Sequence, residues 1–283
     1  MKKILTLVSV LMVFLLASCE KNVITFNSTD IDLTKSAEVR LVYDLPLVAS
    51  TTLNITRLAY NDKLVSEVST ALGGIYPNSA AKYHVVPAGT VKVDTYTGTT
   101  KDVPHFSKTF DVTAGKKHTA FLYDLTQPPY VIQDEDVFPA SDPWADTLCY
   151  IKFVNLLYKA DGVTPYGTLY LKGRRGAGTT ASPYVYINLA SCGFKESSAL
   201  IPYKLLKGTA TVWSGTESGL AFVVYDAAGN LLQYYPSSSG ALTNWAATGF
   251  SLAKGRGWIF HMNGKVGATY ATQAIRLSTI ALN

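Results

Sequence analysis

From Ala37 onward the chain is written in short alternating runs. AEVRLVY (37 to 43), TLNITRL (52 to 58), KLVSEV (63 to 68), KYHVV (82 to 86), TVKVDTY (90 to 96), FSKTFDV (106 to 112) and KHTAFLY (117 to 123) are rich in Val, Thr and Tyr, and Gly, Pro, Asn and Asp separate them. Period-two alternation bounded by turn formers predicts β-strands. In TVKVDTY, Val91, Val93 and Thr95 share one face and Lys92 and Asp94 the other, as in a strand buried on one side. About seven such strands within roughly ninety residues predict a β-sandwich.

The pattern is then paraphrased. YHVVPAGTVKVDTY (83 to 96) is echoed by YKLLKGTATVW (203 to 213), with Gly-Thr-x-x-Val at Gly89 and again at Gly208. In the first copy Pro87 presets a tight turn that Gly89 closes; in the second the proline is absent and the glycine stays. FDVTAGKKHTAFLYD (110 to 124) is echoed by FSLAKGRGWIFHMNG (250 to 264), and EVRLVYDLP (38 to 46) by YIKFVNLLY (150 to 158). Three echoes in one order predict a duplicated module. Their offsets grow from 112 at Glu38 and Tyr150, through 119 at Gly89 and Gly208, to 140 at Gly115 and Gly255, so the second copy carries insertions. GRRGAGTTASP (173 to 183), which reads as a hairpin tip, and QYYPSSSGALTNWAATG (233 to 249) are the places for them. The organisation expected is module one at 37 to 126, a proline-bearing acidic linker at 127 to 147, and module two at 148 to 283.

The amino terminus differs from both modules. Lys2 and Lys3 precede an apolar run from 4 to 16 that is too short for a stable membrane span and ends in Leu16-Ala17-Ser18-Cys19. That is the plan of a secretory signal. Leu-Ala-Ser-Cys resembles the bacterial lipobox, which implies removal of residues 1 to 18 and acylation of Cys19. Each buried methylene of such an anchor contributes about 0.8 kcal/mol, and more than one chain holds a protein on a membrane without a transmembrane helix. Residues 19 to 36 then form the lipidated cysteine and a polar tether that reaches at most about 55 Å.

An opening strand like VRLVY or IKFVN, a Y-x-x-V-P-A-G-T-x-x-V hairpin (83 to 93) and a closing F-x-V-x-A-G-K-x-x-T hairpin (110 to 119) together resemble the domain of unknown function 4397 of exported Bacteroidetes proteins. Module two matches it less well, since Pro87 is replaced within Leu-Lys and Thr119 by Trp258 or Ile259. The resemblance implies a fold and an envelope location and carries over no catalytic residue. The expected fold is all-β, two tandem immunoglobulin-like or transthyretin-like β-sandwich domains after a lipoprotein signal peptide. The expected place is the cell envelope, lipid-anchored at the outer membrane.

Charge adds little. Without residues 1 to 18 the 25 basic side chains fall to 23, against 20 acidic ones, and no cluster is denser than KGRR at 172 to 175. No nucleic-acid partner is expected from so sparse a footprint. Cys149 and Cys192 could pair, closing a loop of about 43 residues worth about 4 kcal/mol, or could be buried free thiols. Neither they nor His84, His105, His118 and His261 have metal-ligand spacing, so no metal or cofactor is expected. Ser79-x-x-Lys82 leads straight into a strand and lacks the partner motifs of penicillin-recognising enzymes. Asp134-Glu135-Asp136 reads as a solvated linker rather than a calcium site, because three consecutive carboxylates cannot all face one ion.

Aromatic residues are the remaining chemistry. Tyr234, Tyr235 and Trp245 bracket one insertion, and Tyr184 and Tyr186 flank the other. On loops such rings could stack on sugars or supply a protein-contact patch; in strands they would be core. A non-catalytic binding, adhesion or structural protein is therefore expected, with a membrane held through the lipid and a glycan or envelope protein as partner. An envelope carbohydrate-active enzyme, or a glycan-binding lipoprotein using the module-two aromatics, is the alternative.

Overall fold

The computed structural model describes residues 31 to 45, 54 to 77, 82 to 98, 103 to 135, 147 to 206, 215 to 235, 241 to 268 and 274 to 282. The signal segment, Cys19 and most of the tether therefore lie outside the described residues. So does the Ser79-x-x-Lys82 stretch apart from Lys82.

Every regular element among the described residues is a strand. The first nine are β1 Ser36–Tyr43, β2 Ile55–Tyr60, β3 Lys63–Ser66, β4 Ile75–Tyr76, β5 His84–Pro87, β6 Gly89–Thr97, β7 Phe106–Val112, β8 Lys117–Leu122 and β9 Tyr130–Gln133. They make two sheets, β4-β1-β8-β9 with β5 also on β1, and β3-β2-β6-β7. The next eleven are β10 Leu148–Asn155, β11 Leu169–Arg175, β12 Val185–Cys192, β13 Glu196–Ser197, β14 Ile201–Lys204, β15 Thr216–Tyr225, β16 Gln233–Tyr234, β17 Thr243–Asn244, β18 Ala247–Ala253, β19 Gly257–Asn263 and β20 Arg276–Leu282. Their sheets are β13-β10-β19-β20 with β14 also on β10, and β12-β11-β15-β18; β16 and β17 form a separate pair. Module two thus repeats module one strand for strand, with β16 and β17 inserted.

Register identifies the equivalent residues. In the parallel pair of β1 and β8, Glu38 lies opposite Lys117; in the parallel pair of β10 and β19, Tyr150 lies opposite Gly257. These positions reproduce the offsets of 112 and 140 read from the sequence, and place Ile259 where module one has Thr119. Gly115 and Gly255 close the equivalent turns with φ of 69° and 67°, a left-handed conformation that favours glycine. The middle echo does not keep its register. Pro87 opposite Ser36 matches Lys204 opposite Leu148, and the partner of β6 is β15, whose Leu220 pairs with Phe250 as Val91 does with Phe110. A Gly-Thr-x-x-Val motif is only a turn followed by a β-former. The alternation of Leu220, Phe222 and Val224 into the core fixes the strand instead.

Each module has its own core, around Val39, Leu41, Val91, Val93 and Leu122 in one and Ile151, Phe153, Phe222, Leu252 and Phe260 in the other. A third cluster joins them. Val42, Phe121, Tyr123 and Ile132 of module one pack with Val154, Leu156, Tyr158, Ile259, Ile280 and Leu282 of module two. The two parallel-containing sheets therefore meet face to face, so β1, β8, β10 and β19 are buried on both sides. Central parallel strands covered on both faces read as near-continuous apolar runs, as VRLVY and WIFHM do.

This interface corrects the expected linker. β9 lies inside the stretch from 127 to 147 and pairs with β8, so module one runs on through it. Asp134, expected in solvent, is 3% exposed and lies 3.0 Å from the equally buried Arg40 Nη2. Thr119 Oγ1 accepts from Arg40 Nε at 2.7 Å and donates to the Asp134 carboxylate, 2.8 and 2.7 Å from its two oxygens; Tyr83 Oη donates to the same group at 2.7 Å. Arg40 Nη1 crosses to the Ala281 carbonyl at 2.6 Å, Tyr158 Oη donates to Asp124 at 2.5 Å, Lys152 meets Glu135 at 2.8 Å, and His261 Nδ1 sits 2.5 Å from Asp44 Oδ2. A run of three carboxylates cannot serve one ion, but here the two described ones each serve a cation on a different module.

Candidate contact face on the outer sheet of module two

The sheet β12-β11-β15-β18 turns one face to the core and the other to solvent. Along β11, Leu169, Leu171 and Gly173 are buried, which sends Tyr170, Lys172 and Arg174 outward by strand alternation. Cross-strand register then gathers the neighbours: Tyr170 lies opposite Tyr225, Lys172 opposite Asn188, and Arg174 opposite Tyr186. The pairing of β11 and β12 slips between Leu171 and Lys172, leaving Leu189 as the extra residue packed toward the core while Asn188 and Tyr186 stay outside.

The result is a surface cluster of rings and cations, with Lys172, Arg174 and Tyr225 half-buried. Tyr184 and Tyr186 are 43% and 42% exposed with centroids 6.4 Å apart, and Tyr186 meets Tyr225 edge-on at 6.1 Å. Arg174 Cζ lies 4.4 Å from the Tyr184 centroid and Lys172 Nζ 4.3 Å from that of Tyr225, both within cation–π range. At the hairpin tip, Ala177 N donates to Ser182 O at 3.0 Å, and a Cβ on Gly178 would come within 2.5 Å of the Tyr184 ring. Glycine there lets the backbone fold against the ring and fix its place.

Tyr225 divides two grooves. One, of about 610 Å³, runs past Tyr170, Lys172, Asn188 and Ser191; the other, of about 750 Å³, runs past Tyr186, Asn230, Gln233 and Asn244. Aromatic walls with amide and hydroxyl groups between them can stack on a ring and hydrogen-bond its edge. Burial, together with the neighbouring Tyr186 hydroxyl, holds the Tyr225 phenol above its ordinary pKa, so it stays a neutral donor.

The expected aromatic trio does not form this site. Trp245 is 5% exposed and belongs to the module-two core, its amide donating to the Leu232 carbonyl at 2.8 Å. Tyr234 packs partly against the same core, and Tyr235 is half-buried near Gly267. Bracketing a Ser/Gly-rich stretch placed these rings on a loop in the sequence, but β16, β17 and β18 draw them inward. Tyr184 and Tyr186 are exposed beside their insertion. Sequence reasoning misses Tyr170, Lys172, Arg174 and Tyr225 as site residues; Tyr-x-Lys-x-Arg at alternate positions is a signal for the first three, whereas Tyr225 joins them only through the pairing of β11 with β15.

The cysteines take the free-thiol alternative. Both are buried; Cys192 Sγ lies 3.5 Å from the Phe153 carbonyl, four residues along β10 from Cys149 and so about 13 Å away in an extended strand. Disulfide geometry cannot span that distance. Burial pushes each thiol up to about 12.

No protein-family model matches the chain, and no curated protein matches it. Among solved structures, a proposed cell adhesion protein of Bacteroides uniformis is similar at 10% identity and a TM-score of 0.27, over 89% of this chain and 99% of the other. A tip fimbrial protein of Porphyromonas gingivalis, truncated at its C-terminus, is similar at 8% identity and 0.24, over 88% and 99%. A proposed adhesin of Bacteroides ovatus is similar at 10% identity and 0.25, over 88% and 94%. Likenesses at these scores carry no inference about the function of this chain.

Proposed function

We propose that this chain is a lipid-anchored envelope protein with a non-catalytic binding role, that it contacts carbohydrate, and that the outer sheet of module two is its contact face. The lipobox-like Leu-Ala-Ser-Cys at Cys19 supports the anchor, and the motif resemblance to the domain of unknown function 4397 agrees with an envelope location. The observation that carries the binding reading is the cluster of the exposed Tyr184 and Tyr186 with the half-buried Tyr225, bordered by two grooves and steadied by cations lying over the rings of Tyr184 and Tyr225. Exposed tyrosines offer large, stiff contact area at low entropic cost. The face lies on a sheet whose inner side is packed into the module-two core, so its rings are placed before a ligand arrives.

A glycan array with the soluble chain 20 to 283 tests this. The parent is expected to bind a subset of polysaccharides and a Tyr184→Ser/Tyr186→Ser variant of equal thermal stability to lose them. Binding that the variant keeps would place the contact elsewhere.

A further inference from the structure

The cations on the same face narrow the ligand further. Elsewhere the described residues neutralise several of theirs. Arg40 has Asp134, Lys152 has Glu135, Lys92 has Asp62 and Asp94, and Arg175, one position beyond Arg174, has Glu217 at 3.4 Å. Among the described residues Lys172 and Arg174 have no carboxylate partner, and each lies over a tyrosine ring instead. Asp226, at the lip of both grooves, is taken up by its own turn: Oδ1 accepts from Asn230 N at 2.8 Å and Oδ2 faces Asn230 Nδ2 at 3.2 Å. With Asp226 still carrying its charge, the face is aromatic and net positive, and neither cation is paired with a carboxylate.

We propose that this face is a site for an acidic polysaccharide, a polymer of uronic acids. This rests on the carbohydrate reading above and adds the charge. The pyranose faces stack on the exposed tyrosines, and the carboxylates meet Arg174 and Lys172. Arginine's planar fork matches a carboxylate in two parallel hydrogen bonds, and the lysine ammonium serves as a point charge. The two cations are two positions apart on one strand, about 7 Å, so a chain with a carboxylate on every sugar reaches both. Asn188, opposite Lys172 and two positions from Tyr186 on β12, supplies an amide for the ring hydroxyls.

Affinity electrophoresis of the soluble chain 20 to 283 through gels containing polygalacturonate, dextran or dextran sulfate tests the assignment. Three proteins are compared: the parent, Lys172→Gln/Arg174→Gln, and Tyr184→Ser/Tyr186→Ser, each first shown to melt like the parent. The expected result is retardation of the parent by polygalacturonate, not dextran, with each double variant at least about tenfold weaker, since one charge-assisted contact is worth that factor. If dextran retards the parent equally and only the tyrosine variant loses binding, the uronate assignment is overturned and the carbohydrate reading stands. If polygalacturonate binding survives both variants, both fall. Stronger retardation by dextran sulfate than by polygalacturonate, or no retardation by polygalacturonate, also overturns the uronate assignment.

Discussion

Arg40 joins the two modules through a charge removed from water, and replacing it with methionine tests how much that junction matters. Arg40→Met keeps most of the apolar stem but removes the ion pair to Asp134, the bond to Thr119 and the crossing bond to the Ala281 carbonyl. Asp134, itself 3% exposed, would then hold a buried charge with only the Thr119 and Tyr83 hydroxyls as partners. Breaking a buried pair on one side costs about 3 to 5 kcal/mol, because the remaining charge is uncompensated. For a chain of this size that lowers the melting temperature by roughly 6 to 20 °C. An Arg40→Met/Asp134→Leu variant removes the orphaned charge along with its partner and is expected to be more stable than Arg40→Met alone. Urea unfolding followed by tryptophan fluorescence reads all three values. A loss below about 1 kcal/mol for Arg40→Met, the size of an exposed ion pair, would refute a desolvated junction.

Trp245→Ala is expected to cost about 3 to 5 kcal/mol in the same assay while leaving glycan binding by the remaining folded protein intact, the reverse of Tyr184→Ser/Tyr186→Ser. Cys149 and Cys192, with thiols held near 12, are expected to resist Ellman's reagent at pH 8 in the native soluble chain and to react fully in urea; fast native labelling would contradict their burial. For Asp124, burial raises the pKa, but hydrogen bonds from Tyr158 and Thr126 and the nearby Lys195 outweigh it, so the folded value is depressed. Its stabilisation is present above the unfolded carboxylate pKa near 4 and is lost as pH falls below it. Tyr158 is raised by burial first and by Asp124 second, so its share is present below the unfolded phenol pKa of about 10 and fades above it. Unfolding midpoints from pH 3 to 11 should fall at both ends, and Tyr158→Phe should flatten both limbs. Cys19→Ala is expected to abolish palmitate labelling in cells and to release the chain from the membrane fraction; labelling that persists would contradict the anchor.

The duplication was legible where a backbone requirement travels with the motif. A glycine in the left-handed region at Gly115 and Gly255, followed by a central strand, fixes a turn and the register after it, so the outer echoes held. The middle echo rested on β-formers that any strand can use, and an offset of 117 at β14 instead of 119, together with a later β15, escaped it. Burial on the second face was also hidden. Arg40 and Lys152 occupy equivalent outward positions on β1 and β10, and a charged residue within an alternating run ordinarily marks the solvent side. Only the packing of the two inner sheets turns that side into a core, with the acidic run after β9 supplying both counter-charges. In the contact face, Tyr184 and Tyr186 were visible as aromatics beside an insertion, whereas Tyr225 needs the pairing of β11 with β15 to join them.

The contact-face assignment is tested most directly by amide hydrogen exchange on the soluble chain 20 to 283, alone and saturated with the polysaccharide that gives the strongest array signal. Slowed exchange concentrated in β11, β12 and the end of β15 is the expected result. Protection confined to module one, or to β16 and β17 around Tyr234 and Trp245, would contradict it.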